Sequence, residues 1–376
     1  MSKFIITYTP CFRKNMLREL IAVDEKIEVE SIFSDSILMI DSKLEKEEFI
    51  HKLLEKSPIF IKHIMPVMKA GKITENLELD KQEILSSMNS ISTLTKEPFA
   101  VQCRIISGGK SGLDYSSKDL EVFVGSYYEQ KGNIPTFSDT NLKNDNIKVL
   151  SIMIHHNDYY LGFSSSKENL NFHCDEYRIC GKGGRSISRA ENKLKEALSK
   201  FNITLDGTGY ALDIGAAPGG WTKVLADYGY EVVAVDPGNL KPELESNPKI
   251  HHYKCRIEDL DFENFFDIIV NDMNVDPQTT ANIMNSLAGS LKEDGIAIVT
   301  LKLPNKVEED IKESTQILNQ NYDVLTIKSL FHNRQEVTTM IRKKPLILDH
   351  ISSIYEEPSE QLDNNTAPKV LRKTTK

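Results

Sequence analysis

The sequence has one tryptophan and five cysteines, and no two of the cysteines form a C-x-x-C pair. Cys11, Cys103, Cys174, Cys180 and Cys255 are scattered and odd in number, which excludes a disulfide framework or a zinc ribbon and fits a reducing cytosol. His173, Cys174 and Cys180 lie close together, but a tetrahedral metal site needs ligand spacings that this segment lacks, so no metal is expected. No apolar run reaches bilayer-spanning length. The N-terminus, MSKFIITYTPCFRKN, lacks an apolar core followed by a small-residue cleavage site, and it reads as a first strand instead of a signal peptide. Positive charge is also in deficit. The 46 Lys and Arg stand against 55 Asp and Glu, for a formal net charge of −9. That balance excludes a coat protein held to nucleic acid by bulk charge, while leaving room for a local basic groove on an acidic body.

What is present is ordinary globular composition, 40% hydrophobic and 27% charged, in 376 residues. A chain of that length needs more than one core. Residues 1–60 alternate short apolar runs with an amphipathic stretch, KNMLRELIAV, and read as a small α+β domain. Residues 61–166 read as a second α+β domain. It has strands at Phe99–Ile106, Val149–Ile154 and Tyr159–Phe163, a turn at Ser107–Gly112, and a helix from Ser116 with a Ser-x-x-Asp start. Residues 167–182 read as a linker. From 183 to 344 strands alternate with helical patterns, which predicts βαβ units and a mainly parallel sheet. The strands fall at Ala211–Ile214, Glu231–Val235, Ile268–Asn271, Ile296–Lys302, Tyr322–Ser329 and Val337–Arg342. Residues 345–376 are polar and read as a mobile tail.

The most informative stretch is LDIGAAPGGWTKVLADYGYEVVAVD, from Leu212 to Asp236. A strand runs into a turn carrying Gly215, Ala217, Pro218, Gly219 and Gly220, and Trp221 then opens a helix. Such a turn lets a nucleotide-like ligand approach the backbone closely. Asp236 ends the next strand, 21 residues after Gly215, where a carboxylate can accept from both hydroxyls of an adenosine ribose. Asp213, directly before the turn, would repel a pyrophosphate and suits a cationic ligand such as S-adenosylmethionine.

The residues DIGAAPGGWT resemble the cofactor motif of the FtsJ-type ribose 2′-O-methyltransferases, and four further pieces occur in that family's order. Ser188–Leu198 resembles the helix before the cofactor strand, Asn271-Asp272-Met273 the acidic end of the fourth strand, Leu301–Pro304 the second lysine, and Asn333–Thr338 the terminal Arg-x-Glu-Val piece. The resemblance implies a Rossmann-like domain that binds S-adenosylmethionine, with a catalytic set of Lys193, Asp272, Lys302 and Glu336. It also implies a cofactor set of Asp213, Gly215, Ala217, Pro218, Gly219, Gly220, Trp221, Asp236, Asp259 and Asp272. Met-Asn-Val follows the strand carboxylate where Met-Ala-Pro is common in the wider family. The bacterial members that methylate a cytidine 2′-hydroxyl of large-subunit ribosomal RNA are the most similar. They too carry in front a THUMP domain, an RNA-binding module, which FAVQCRI, SSKDLEVFVGSYY and VLSIMIHHNDYYLGF resemble.

On this reading Lys302 is the general base. Burial and the second ammonium, Lys193, are expected to lower its pKa so that it can take a hydroxyl proton. Lys182, Arg185, Arg189 and Lys195 form a positive strip before and on the catalytic helix, suited to RNA phosphates. Two other classes compete. A small-molecule methyltransferase would keep the cofactor motif but would need neither the lysine pair nor an RNA-binding front half. A noncatalytic RNA-binding or ribosome-assembly factor would keep the fold and have no use for the intact four-residue set.

Overall fold

Runs of β-branched and aromatic residues near the N-terminus make a four-stranded sheet. Its strands are β1 (Ser2–Tyr8), β2 (Glu28–Ser34), β3 (Ile37–Ser42) and β4 (Ile61–Val67), in the order β2-β3-β1-β4. β1 is central, buried from Phe4 to Tyr8, and antiparallel to both neighbours. The sheet carries α1 (Arg13–Val23) and α2 (Lys46–Glu55). A domain break at residue 60 would cut β4 away from this sheet, yet β4 pairs with β1 from Ile61 to Val67. Pro66, which cannot donate to a ladder, is accommodated because β4 is an edge strand. The coordinates are those of a computed structural model and describe residues 2–74, 76–106, 113, 115–135, 147–170, 189–345 and 371–372.

The next sheet has five strands, β5 (Lys69–Lys72), β6 (Pro98–Ile106), β7 (Ile134–Pro135), β8 (Lys148–His155) and β9 (Asp158–Ser165), in the order β5-β9-β8-β6-β7. β8 is parallel to β6 and antiparallel to β9. Against it lie α3 (Leu77–Ile91) and α4 (Ser117–Gln130), whose apolar faces share a core with Phe99, Leu150 and Leu161. The Ser-x-x-Asp start of α4 is a capping box between Ser116 and Asp119. The first residues of the expected linker form a short helix, α5 (Ser166–Asn169), again with a capping box, between Ser165 and Glu168. The turn at Ser107–Gly112 and the rest of the linker lie outside the described residues.

The third sheet follows α6 (Arg189–Lys200) and has seven strands. In chain order its elements are β10 (Tyr210–Ile214), α7 (Gly220–Tyr228), β11 (Glu231–Val235), α8 (Pro242–Glu245) and β12 (Ile250–Tyr253). After a two-residue strand, β13 (Leu260–Asp261), come β14 (Phe266–Asn271), α9 (Pro277–Ser286), β15 (Leu291–Lys302), α10 (Val307–Leu318), β16 (Tyr322–Lys328) and β17 (Glu336–Lys343). The spatial order is β12-β11-β10-β14-β15-β17-β16. The five strands from β12 to β15 run parallel, and β17 turns against β15. Ala211 and Leu212 on adjacent positions of β10 are both fully buried, as a strand covered on both faces requires. The predicted mainly parallel sheet is therefore present. β12 is an addition to the expected strands, and within the expected mobile tail Leu371–Arg372 (β18) pairs antiparallel with β13. Among the described residues no helix is long and apolar enough to cross a membrane.

By contact density the chain divides into two compact units. One comprises Met1–Gly184, Leu198–Asn202 and Lys328–Gln335; the other comprises Arg185–Ala197, Ile203–Ile327 and Glu336–Lys376.

Candidate active site

In an open α/β sheet the strand order reverses at one point, and ligands bind beyond the carboxyl ends of the strands there. Here that point lies between β10 and β14. Past β10 comes the glycine turn, and past β14 comes Asp272. Gly215 has φ +73°, and a Cβ on it would lie 2.7 Å from Met273 Cγ and 3.2 Å from the Met273 backbone. The turn and the segment after β14 thus press together at a position where only glycine fits. Asn271 Oδ1 accepts from the Met273 amide at 3.0 Å and holds that segment in shape. Gly219 caps α7 at φ +108°.

Asp213 is 1% exposed, and its Oδ2 accepts from the Thr222 hydroxyl at 2.6 Å. Burial pushes its carboxyl up to about 7; the Thr222 hydrogen bond opposes this, and the nearby Asp272 and Asp236 carboxylates add to it. Asp236 accepts from the Ala217 amide at 3.1 Å and the Gly238 amide at 2.6 Å, one on each oxygen. A carboxylate has about four acceptor sites, so capacity remains for ribose hydroxyls. Asp259 lies farther along, exposed, accepting from the Arg256 amide at 3.2 Å. Three carboxylates that repel one another around a glycine turn suit a cationic ligand and oppose a pyrophosphate. Trp221 is buried with its indole turned to α6, where Nε1 donates to the Ala190 carbonyl at 2.6 Å. Thr222, which secures Asp213, escapes the sequence reading: a hydroxyl nine residues away carries no periodic signal.

The four residues of the expected catalytic set converge. β15 and β17 place Lys302 directly opposite Glu336 in their antiparallel register. Asp272 stands just past the neighbouring β14, and Lys193 projects from α6. Lys193 Nζ donates to Asp272 at 2.7 and 2.9 Å and lies 2.7 Å from Glu336 Oε1. Lys302 Nζ donates to Asp272 Oδ1 at 3.0 Å and to Glu336 Oε2 at 2.5 Å. The result is a closed ring of alternating charge, with side-chain exposures of 3% for Lys193 and 19% for Lys302. The expected depression of the Lys302 pKa is not found. Burial pushes it down, but the Asp272 and Glu336 carboxylates outweigh burial and hold it above the ordinary lysine value. Burial would raise Glu336; instead Lys193 and Lys302 pull it down to about 2. Two lysines repel less than two interposed carboxylates attract.

Of the expected RNA-binding strip, Lys182 and Arg185 lie outside the described residues, and of Arg189 only its place at the start of α6 is described. Lys195 donates to Glu191 Oε1 at 2.8 Å, and Lys223 lies 3.8 Å from the same oxygen. A cavity of about 1550 Å³ opens at the opposite, amino end of the parallel strands, lined by Asp206, Asp267 and Lys292. It is remote from the ring. Among the described residues no group of three or more His, Cys, Asp or Glu is placed to hold a metal.

The surroundings of the ring are also similar to known proteins. Residues 186–307 match the family described as FtsJ-like methyltransferase. That segment is similar to the FtsJ-like methyltransferases, the family its motifs resemble. The match takes in the glycine turn, Lys193, Asp272 and Lys302 and stops short of Glu336. The chain is 34% identical over 168 residues to an uncharacterized protein, MJ1257, of Methanocaldococcus jannaschii, covering 43% of this chain and 47% of that one. It is 34% identical over 172 residues to ribosomal RNA large subunit methyltransferase M of Pseudoalteromonas atlantica, covering 41% of this chain and 48% of the relative. The chain thus spans about half the length of the curated relatives it matches. Among solved structures, TrmN from Thermus thermophilus aligns with 92% of this chain and 100% of its own, at 12% identity and a TM-score of 0.36.

Proposed function

We propose that this protein transfers a methyl group from S-adenosylmethionine to a ribose 2′-hydroxyl of RNA, with large-subunit ribosomal RNA as the substrate class. The observation that carries the reading is the closed ring of Lys193, Asp272, Lys302 and Glu336 beside the FtsJ-like glycine turn. The similarity to ribosomal RNA large subunit methyltransferase M supports the choice of RNA.

S-adenosylmethionine supplies an activated methyl group on a sulfonium that is already a good leaving group. Asp213, Asp236, Asp259 and Asp272, with the close-approach backbone of the turn from Gly215 to Gly220, would hold it; Trp221 would fasten the turn to α6. What remains for the protein is to position the attacking hydroxyl and accept its proton. Lys302 takes that proton. Glu336 and Asp272 orient its ammonium, and Lys193 shares the two carboxylates and so limits how strongly they hold the Lys302 proton. The sheet of β5–β9 with α3 and α4 is read as the THUMP-like, RNA-binding part, and Lys182, Arg185 and Arg189 as contacts to phosphate.

The test is transfer of tritiated methyl groups to large-subunit ribosomal RNA and, separately, to a metabolite extract. Labelled RNA is expected with wild-type protein and none with Lys302→Ala. Label only in the small-molecule fraction would refute the RNA assignment, and near-normal kinetics in the variant would remove Lys302 from the base role.

A further inference from the structure

A cavity of about 490 Å³ lies wholly within the first compact unit. That is within the roughly 300–1,000 Å³ usual for small-ligand sites. Four pieces of the chain build it: the end of β1 with the residues after it, Ser36, Lys62 of β4, and the loop leading into β17. Its lining includes two cations, Lys62 and Arg334, and no acidic side chain. In a chain of net charge −9, a pocket lined by cations alone is a local reversal of sign.

Each cation is placed by contacts. Lys62 Nζ donates to the Phe331 carbonyl at 3.3 Å and sits 5.2 Å from the centre of its ring. The Arg334 side chain is exposed, while its carbonyl accepts from Cys11 Sγ at 3.6 Å. The cavity also has hydroxyl and amide groups. Thr9 and Asn333 are buried in its wall, and the Asn333 side chain accepts from the Leu330 amide at 2.6 Å. Tyr8 is a third polar member, 1% exposed, and its hydroxyl is buried with no hydrogen-bond partner. Burial raises the Tyr8 phenol above its ordinary pKa, Arg13 pulling it down and Asp35 pushing it up, so at neutral pH it is a donor.

We infer that this cavity binds one phosphate-bearing nucleotide of the RNA substrate, with Lys62 and Arg334 at the phosphate and the hydroxyl and amide groups at the sugar or base. The inference rests on the RNA-methyltransferase reading above. Lysine and arginine contacts to phosphate fix register without reading sequence, as a substrate-positioning site must do. Gln335 also lines the cavity, and the next residue in the chain is Glu336. The loop that would position RNA therefore leads directly into a residue of the ring.

The probe is a fluorescein-labelled transcript of large-subunit ribosomal RNA, titrated by anisotropy over a salt series, with S-adenosylhomocysteine binding measured by calorimetry on the same proteins. Arg334→Glu, an exposed change, is expected to weaken RNA binding at least tenfold. It should lower the slope of log affinity against log salt by about 0.7 while leaving S-adenosylhomocysteine affinity unchanged. Lys62→Gln should act in the same direction. A second measurement needs no variant: in wild-type protein the RNA should slow N-ethylmaleimide alkylation of the exposed Cys11, read by peptide mapping. Unchanged RNA affinity in Arg334→Glu, or a Cys11 that alkylates at the same rate with RNA present, overturns the cavity assignment while leaving the methyltransferase reading intact. Wild-type protein that neither binds nor methylates the transcript overturns both.

Discussion

Lys193 and Lys302 share one acceptor atom, Asp272 Oδ1, at 2.7 and 3.0 Å. Each also reaches Glu336, on opposite oxygens of its carboxylate. Two ammonium groups are thereby held side by side by two carboxylates, and the Lys302 proton is retained above the ordinary lysine range. A base that starts protonated gives a rate limited by the deprotonated fraction. Methyl transfer at saturating substrates should rise about tenfold per pH unit through neutrality and into the alkaline range. Removing one carboxylate with Glu336→Gln should lower the Lys302 pKa and move the alkaline plateau to lower pH. A rate flat from pH 6 to 9 in wild-type protein would contradict a protonated Lys302.

Glu336 gives a second pH signature, in stability. Its folded pKa, about 2, lies below the ordinary carboxyl value of 4.5, so the folded state favours the ionised form. The associated stabilisation is complete above about pH 4.5 and is lost as pH falls toward 2. Glu336→Gln removes it and leaves the two lysines short of a carboxylate. A loss of about 3–5 kcal/mol is expected near neutrality, the range for breaking a buried pair. Thermal melts of both proteins from pH 7 downward should converge as acid is added; a constant gap would show that the ionised carboxylate is not the source.

Asp213 behaves in the opposite sense. Its folded pKa, about 7, lies above the ordinary 3.8, so ionising it inside the fold costs stability as pH rises between those values. A cationic ligand beside it restores the charge and releases a proton. S-adenosylmethionine affinity should therefore climb with pH up to about 7 and then level off. Calorimetry at pH 6 in buffers of different ionisation enthalpy should detect proton release on binding. Asp213→Asn should bind more weakly and show neither the pH dependence nor the proton release.

The Gly215 prediction tests how closely the two halves of the site approach. Gly215→Ala would put a side chain at φ +73° and only 2.7 Å from Met273 Cγ. Left-handed backbone alone costs a non-glycine residue about 1–2 kcal/mol, and the contact adds to it. The variant should melt lower and lose cofactor affinity together. A variant that binds normally would place the Met273 segment farther from the turn.

Six of the seven strands of the third sheet are legible from local pattern, and all four ring residues from a local pattern combined with a family motif. What was not legible was long-range pairing and side-chain trade. β12 was missed since Ile250–Tyr253 is four residues long with two histidines at its centre, too short and polar for a periodic signal. The domain boundary at residue 60 falls on the wrong side of β4 because a strand's sequence does not name its partner, and the partner of Ile61–Val67 is almost 60 residues upstream. The direction of the Lys302 shift was misjudged for a related reason. Counting like charges in sequence leaves out where the carboxylates sit between them, and Asp272 and Glu336 sit within 3.0 Å.

Trp221 links the cofactor turn to the catalytic helix, and its role can be separated from cofactor binding. Its indole donates to the Ala190 carbonyl, one helical turn before Lys193, and its ring centre is 6.0 Å from the Lys193 ammonium. Trp221→Phe keeps an aromatic ring but removes the donor, and the part-buried Ala190 carbonyl loses that hydrogen bond at a cost of about 0.5–1.5 kcal/mol. α6 then loses its anchor to α7, and Lys193 its fixed place against Asp272 and Glu336. The expected result is a fall in the methyl-transfer rate at saturating cofactor and RNA, with S-adenosylhomocysteine affinity within about twofold of wild type. A matching loss in both quantities would mean that the indole serves the cofactor pocket itself. As the only tryptophan in the chain, Trp221 also reports directly: wild-type emission should be blue-shifted by burial and should shift red in step with loss of activity on urea titration.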